Sequence, residues 1–377
     1  MKFAFYSTMQ GMNWGGSETL WSRAARRLLS EGDQVAINFP RWPHLAAPLA
    51  ELRSEGAELF LRARTGSTSK LGPIQPLLER FKRKTSDADW LRDTAPRLLL
   101  ITLGYHLDPI PLVNECQRLG IPYVIQLQCA SANRFVPAER VATLRHAYES
   151  AARVLVVSEE NLEKVEANLG VRLSNAELIA NPFGVPWETP FQWPTSEQRS
   201  LACVGRIHFA SKGQDLLVHV LKQPRWRDRS LEITLYGQDQ GDRARLESLI
   251  AAHGLERQLK LGGYQSDLNA LWQAHHGLIL PSRFEGAALV VVEAMLAHRM
   301  VVATDTGRNR EWIDDGRNGF LAPGATAVEL DAALERAWTA RDQWRELGRQ
   351  AGIDIRDRFP QHPVEDFTTR LRELASD

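Results

Sequence analysis

Several features that would assign this chain quickly are missing from it. The three cysteines, Cys116, Cys129 and Cys203, are scattered and form no CxxC pair. Neither a disulfide framework nor a thiolate zinc site is therefore indicated. No apolar run approaches the roughly 18–20 residues of a membrane span. The opening MKFAFYST lacks the longer apolar core and small-residue cleavage site of a signal peptide. It reads as a first β-strand, and the expected location is the cytoplasm. Net charge is absent too, since 46 Lys and Arg offset 46 Asp and Glu. No overall field favours nucleic acid or an anionic membrane, so any anion must be held by a local site. There is no GxGxxG fingerprint, no DxD-type acidic cluster in a suitable place and no Ser/His/Asp set.

What is present is an ordinary globular composition over 377 residues, 44% apolar and 24% charged, long enough for two domains with separate cores. Short apolar runs alternate with helical patterns. Strands are expected at Lys2–Ser7, Val35–Phe39, Leu98–Thr102, Tyr123–Gln128 and Arg153–Val157. Between the first two, Ser17–Glu31 has helical spacing with Leu20, Ala24, Ala25, Leu28 and Leu29 on one face. Strands separated by helices imply a parallel, doubly wound α/β sheet. The stretch NPFGVPWETPFQWPT, 181–195, holds four prolines, which no helix can run through. A second series follows, with strands at Ser200–Val204, Glu232–Tyr236, Leu259–Leu261, Gly277–Leu280 and Val301–Thr304. The reading is therefore a first domain over 1–190, a second over 191–358, and a helical tail over 359–377 packing back on the first. In such folds ligands sit at the carboxyl ends of the strands, here in an interdomain cleft.

Three motifs carry chemistry. In Pro281–Met295, PSRFEGAALVVVEAM, a strand ends, a loop carries Glu285 and Gly286, and a helix opens near Ala287 or Ala288. Glu285 and Glu293 are eight residues apart; on a helix that is about 12 Å of rise with side chains within about 80° of each other. Two carboxylates so spaced suit the sugar and the ribose of a nucleotide-sugar, with a helix N-terminus between them for the diphosphate. The bland alternative, a surface loop Glu and a helix-edge Glu, sits poorly with a carboxylate inside ALVVVEAML. In Leu201–Leu217, LACVGRIHFASKGQDLL, Gly205 and Arg206 end a strand and Lys212-Gly213 opens a helix. Arg grips two phosphate oxygens and Lys supplies a mobile charge, although basic residues near turns are commonly only solvated. In Gly15-Gly16-Ser17-Glu18 glycines let backbone approach a ligand, although such a turn is often only a turn.

On these residues the chain resembles the retaining family 4 glycosyltransferases (glycosyl transferases group 1). Glu285 to Glu293 matches the family's E-x7-E motif, Val204-Gly205-Arg206 with Lys212-Gly213 its VGR…KG motif, and GGSE its GGxE loop. Asn181–Val185 is similar to the NGV turn and Asp305–Glu311 to the VGGxxE turn. The resemblance implies the GT-B fold, two Rossmann-like domains with the donor on the C-terminal one. It also implies a metal-independent, cofactor-free hexosyltransferase acting with retention on a nucleotide-diphosphate-sugar, UDP or GDP being the expected bases. By position, Arg206 and Lys212 would bind the diphosphate with Gly205, Gly16 and the backbone of Gly286, Ala287, Ala288 and Leu289. Glu293 would hold the ribose and Glu285 the sugar, making Glu285, Arg206 and Lys212 the catalytic set.

Departures from the pattern concern the sugar. Gln128 stands where the family places a His, Arg308 where a second glycine is usual, and Ala287-Ala288 in the EGxG position. Gly15, His106 in LGYHLDP, and Gln128 are acceptor-side or sugar-side candidates, although a loop His is more often exposed. His275-His276 read as structural. Trp14 is the tryptophan best placed beside the glycine loop. The acceptor is a saccharide, glycolipid or small molecule. Rival functions are a GT-B-fold nucleotide-sugar epimerase and a catalytically inactive nucleotide-sugar-binding protein. Pro76–Lys84, PLLERFKRK, is a candidate for peripheral membrane contact, the commoner reading being a solvated segment.

Overall fold

The computed structural model describes residues 1–64, 86–131, 134–188 and 192–376. The basic stretch Pro76–Lys84 and the domain boundary read at 190/191 lie outside the described residues. The chain divides into two compact units. One is 1–157, 161–181 and 362–377; the other is 158–160 and 182–361.

The first unit is built on seven strands: β1 Lys2–Ser7, β2 Gln34–Pro40, β3 Glu58–Arg62, β4 Leu98–Leu103, β5 Tyr123–Leu127, β6 Arg153–Val156 and β7 Ala176–Leu178. They run parallel in the order β3-β2-β1-β4-β5-β6-β7. The near-continuous apolar runs are those of strands covered on both faces. One face packs Tyr6, Ile101, Ile125 and Val154 into a core with Trp90 and Leu144. The other packs Phe5, Ile37, Leu100 and Val124 against the helix Thr19–Ser30 and against Phe367 and Leu371 of the C-terminal helix Pro363–Ser376. That helix is pinned at its edge by Arg372 to Asp33 at 2.6 Å and Arg370 to Glu177 at 2.9 Å.

The second unit has six parallel strands: β8 Arg199–Val204, β9 Leu231–Tyr236, β10 Leu259–Gly263, β11 Gly277–Leu280, β12 Met300–Thr304 and β13 Gly319–Ala322. Their order is β10-β9-β8-β11-β12-β13. One core joins Leu201, Ile233 and Ile279 to Trp226, Leu334 and Trp344. Because β8, β11 and β12 are neighbours and parallel, the loops that follow them emerge at one edge of the sheet. That edge carries the motifs of the second unit.

No helix of the described residues is long and apolar enough to cross a membrane. The sequence reading omitted β3, β7 and β13, three short strands at or near sheet edges.

Candidate active site

Two glycines assemble the loops. After β8 a short helix, Phe209–Lys212, is closed by Gly213 in the left-handed region, φ +64°. A β-carbon there would stand 2.1 Å from the carbonyl oxygen of Pro281, so only glycine lets the loop after β11 settle on this turn. The contact is stitched by backbone. The amides of Arg283 and Phe284 donate to the Ser211 carbonyl at 2.8 and 3.4 Å. The Arg283 guanidinium grips both oxygens of Asp215 at 2.7 Å each. From the other side Gly307, φ +62°, leaves no room for a side chain against the Gly286 carbonyl at 2.8 Å and the Glu285 β-carbon at 3.2 Å. Below, Thr304 donates to the Ser282 carbonyl at 2.6 Å and Asn309 to the Thr304 carbonyl at 2.8 Å.

Held between these contacts, Glu285 is buried and accepts at Oε1 from Lys212 Nζ at 2.6 Å and from Ser282 Oγ at 2.6 Å. Charge-assisted bonds of this length are the strong ones. The next element is the helix Leu289–Leu296, whose first turn is preceded by Ala288 and has no side-chain cap. The Val291 amide donates back to the Ala288 carbonyl at 2.8 Å, and the amides before it have no side-chain cap to accept from them.

The sequence places Glu285 on a loop, yet the rise of about 12 Å is reckoned as if one helix ran from Glu285 to Glu293. The helix starts only at Leu289, so Glu285 lies on the loop and the 12 Å rise does not describe the pair. Proline at 281, buried Ser282 and the Gly307 contact hold that segment irregular. Glu293 has a different partner, accepting from the Gly184 amide at 2.8 Å. Burial pushes its carboxyl up to about 7, the Gly184 hydrogen bond opposing. Gly184 belongs to the turn at 181–185; a β-carbon on it would meet Leu268 at 2.7 Å and Glu293 Oε1 at 3.1 Å. Arg206 is exposed and its Nη1 donates to Gln240 at 2.8 Å. Its backbone carbonyl accepts from Gln214 at 2.8 Å, which ties it to the residue that follows Lys212-Gly213. Gly205 lies against the Lys212 side chain, with its β-position 3.3 Å from Cδ. Thus Lys212 and Glu285 are brought into contact, while Arg206 and Glu293 each hold a partner of their own.

Sequence reasoning singled out neither Ser282 nor Gly184, both in direct contact with the motif carboxylates. Their signal was only their place inside PSRFEG and NPFGV. Arg308 makes an ion pair with Glu311 at 2.6 Å.

In the first unit, Gly15 precedes a short turn of 3-10 helix, Gly16–Glu18, and Gly16 is exposed with open space around its α-carbon. Glu18 turns inward and is fully buried, accepting from Trp21 Nε1 at 2.8 Å and from Ser17 Oγ at 3.2 Å. Burial pushes its carboxyl up to about 7 against the hydrogen bonds of Ser7, Trp21 and Ser17. Trp14 packs on Trp21 and Phe39, with ring centroids 5.9 and 6.0 Å away. His106 is buried rather than exposed. Its Nε2 meets the Arg134 carbonyl at 3.0 Å, its Nδ1 has no partner among the described residues, and burial lowers its pKa. Gln128 and Asn181 exchange a reciprocal pair of amide hydrogen bonds, 3.1 and 2.7 Å, both side chains buried. His275 and His276 are buried beside β11; His276 receives the Ser200 amide at 3.1 Å, and burial lowers both to about 4.

Residues 198–340, which contain Arg206, Lys212, Glu285 and Glu293, match the family model described as "Glycosyl transferases group 1". The motif-bearing part of the chain is therefore similar to the group 1 glycosyltransferases. Among curated relatives, the chain is 25% identical over 239 residues to the alpha-D-kanosaminyltransferase of Streptomyces kanamyceticus, a match that covers 58% of the chain and 61% of that protein. It is 29% identical over 365 residues to the D-inositol 3-phosphate glycosyltransferase of Arthrobacter sp. strain FB24, covering 90% and 85%. Of solved structures, Anabaena Alr3699/HepE in complex with UDP superposes with a TM-score of 0.73 at 19% identity, covering all of both chains. A glycosyltransferase from Rickettsia africae superposes at 0.74 with 15% identity, covering 100% of this chain and 99% of that one. At these identities the likeness carries the fold, which is GT-B.

Proposed function

We propose that this protein is a glycosyltransferase that moves a hexose-type sugar from a nucleotide-diphosphate-sugar to a hydroxyl acceptor with retention of anomeric configuration. The observation that carries the reading is the partly buried Lys212–Glu285 pair, set just ahead of the helix that leads to Glu293 and has no side-chain cap. In the empty protein the ammonium and carboxylate neutralise each other. With donor bound, Lys212 exchanges Glu285 for a diphosphate oxygen, and Glu285 turns its acceptor capacity to the sugar's hydroxyls. Arg206 leaves Gln240 for the same diphosphate, the amides at Ala287–Leu289 meet the phosphates, and Glu293 accepts from the ribose.

The bond from the anomeric carbon to the diphosphate oxygen then breaks, its electron pair passing to the diphosphate. Preorganised cations and amides stabilise that charge as it develops. The acceptor oxygen bonds the anomeric carbon on the same face and its proton passes to the leaving diphosphate, so no carboxylate nucleophile and no metal enter the scheme. Acceptor recognition falls to the first unit, with Gly15, Gly16, His106 and Gln128 as its candidates. One solved protein of this fold, Anabaena Alr3699/HepE, is seen both with UDP and with UDP and glucose, which favours a uridine donor.

A thermal-shift screen of UDP-, GDP-, ADP- and TDP-sugars tests the donor, because a ligand of the folded state raises its stability. One base raising the melting temperature, with release of its diphosphate on incubation, is the expected outcome. No stabilisation by any of the four would overturn the assignment. An isomerised sugar from donor alone would point to the epimerase instead.

A further inference from the structure

Away from the motif loops, the second unit holds a cation that no carboxylate balances. Arg299 follows the helix Leu289–Leu296 at the entry to β12 and is 1% exposed. Its Nε donates to the Trp272 carbonyl at 2.7 Å, Nη2 to the Gln192 carbonyl at 2.5 Å and Nη1 to the His298 carbonyl at 3.4 Å. All three acceptors are neutral, and no carboxylate lies within ion-pair distance of it among the described residues. Burial alone lowers its pKa to about 10. A buried charge with hydrogen bonds but no counter-charge is costly to keep.

An open cavity of about 360 Å³ adjoins this guanidinium, with Arg345, Arg349, His298 and Trp193 on its wall. Of its two carboxylates, Glu346 is paired with Arg349 at 2.6 Å, and Asp342 is largely exposed, with Arg199 3.5 Å away. Arg345 is exposed and has no carboxylate partner among the described residues. The helix Trp344–Arg358 begins at this wall. It is fifteen residues long and continues a 3-10 turn, Arg341–Gln343, with the Trp344 amide donating to the Arg341 carbonyl. None of Arg206, Lys212, Glu285 or Glu293 lines the cavity.

We propose that this cavity binds a phosphate-class oxyanion, free or carried on a small sugar, at a site separate from the donor. Arg345 grips the oxyanion, Arg349 exchanges Glu346 for it, and Arg299 supplies the fixed charge behind them. The volume exceeds that of one tetrahedral anion, since a single water claims about 30 Å³, and leaves room for a carrier beside Trp193.

The test is calorimetric titration of the full chain with inorganic phosphate and, separately, with a hexose 6-phosphate, at constant ionic strength. The Arg206→Ala/Lys212→Ala background removes the proposed donor grip, so failure of the donor reading leaves this test intact. One saturable site is expected in that background, weakened at least about tenfold by adding Arg345→Ala and Arg349→Ala. Both of those side chains are exposed, so the four-residue variant should melt like its background without ligand. Tighter binding of the sugar phosphate than of phosphate assigns a carried phosphoryl group; equal binding assigns the free ion. Absence of saturable binding up to about 10 mM, or binding indifferent to Arg345 and Arg349, would overturn the proposal.

Discussion

Removing the Lys212 ammonium leaves the Glu285 carboxylate buried with the Ser282 hydroxyl as its remaining hydrogen-bond donor among the described residues. Lys212→Ala thus has two effects, a loss of positive charge on the leaving diphosphate and an unpaired carboxylate next to the sugar. Turnover should fall at least about 100-fold, the scale of one lost charge-stabilising group. Arg206→Ala should cost a similar factor. Steady-state kinetics that find both variants near normal would remove the assigned roles. Glu18 offers a different test, because its carboxyl is fully buried and pushed up to about 7 by burial. The folded value lies above the unfolded one, near 4.3, so the stabilisation is complete below the unfolded value and is lost as pH rises through about 7. The shift corresponds to about 3–4 kcal/mol at most. Glu18→Gln imitates the protonated acid, so between pH 5 and 8 its melting temperature should gain on the wild type with rising pH; parallel curves would contradict this. Lys212 and Glu285 could each be named from its own motif. Their contact could not, because 73 residues separate them and it takes the Gly213–Pro281 approach, with the backbone bonds to Ser211, to bring them together.

Gly213→Ala is the element-level counterpart, since it changes no functional group and strains the turn that seats one loop on another. The residue stands at φ +64° with its β-position 2.1 Å from the Pro281 carbonyl. A methyl there must push the 281–286 loop away, beyond the roughly 1 kcal/mol that the left-handed conformation itself costs alanine. Donor KM and turnover should both worsen by about tenfold or more, whereas Gly16→Ala, with open space at its β-position, should fold unchanged. The C-terminal helix gives a larger effect. Ending the chain before Pro363 strips Phe367, Leu371 and Leu374 from the first core, each worth about 1.5–3 kcal/mol. That sum rivals the whole stability of a domain, so the truncated protein should aggregate on expression, while Arg370→Ala should shift stability by under about 1 kcal/mol. Soluble, folded truncated protein would refute the first expectation. Long apolar strands such as β4 and β5 were legible because burial on both faces writes an unbroken run. The strands at 58–62, 176–178 and 319–322 were not, because a three- to five-residue strand near a sheet edge carries too few apolar positions to declare a period.

Two parallel sheets were readable from the alternation of runs and helical patterns, since that alternation is what a parallel sheet requires of its crossovers. The sequence could not show which side chains would be engaged already. Gln128, in the place of the family's histidine, is occupied with Asn181, and His106 is buried rather than offered to solvent. Both follow from neighbours distant in sequence. The molecule-scale consequence is that the two units, each with its own core, should respond separately to a nucleotide. Every residue proposed for the diphosphate and ribose, apart from Gly16, lies in 182–361. Hydrogen exchange with saturating nucleoside diphosphate should therefore slow amides at 205–213, 281–293 and 304–309. At about 100 Kd the second unit gains about 2.7 kcal/mol of protection, while the core strands of the first unit, β1, β4 and β5, exchange as before. If protection instead appeared on those strands and spared the loops after β8 and β11, the donor would have been placed on the wrong sheet, and Lys212 and Glu285 would be no more than a structural ion pair.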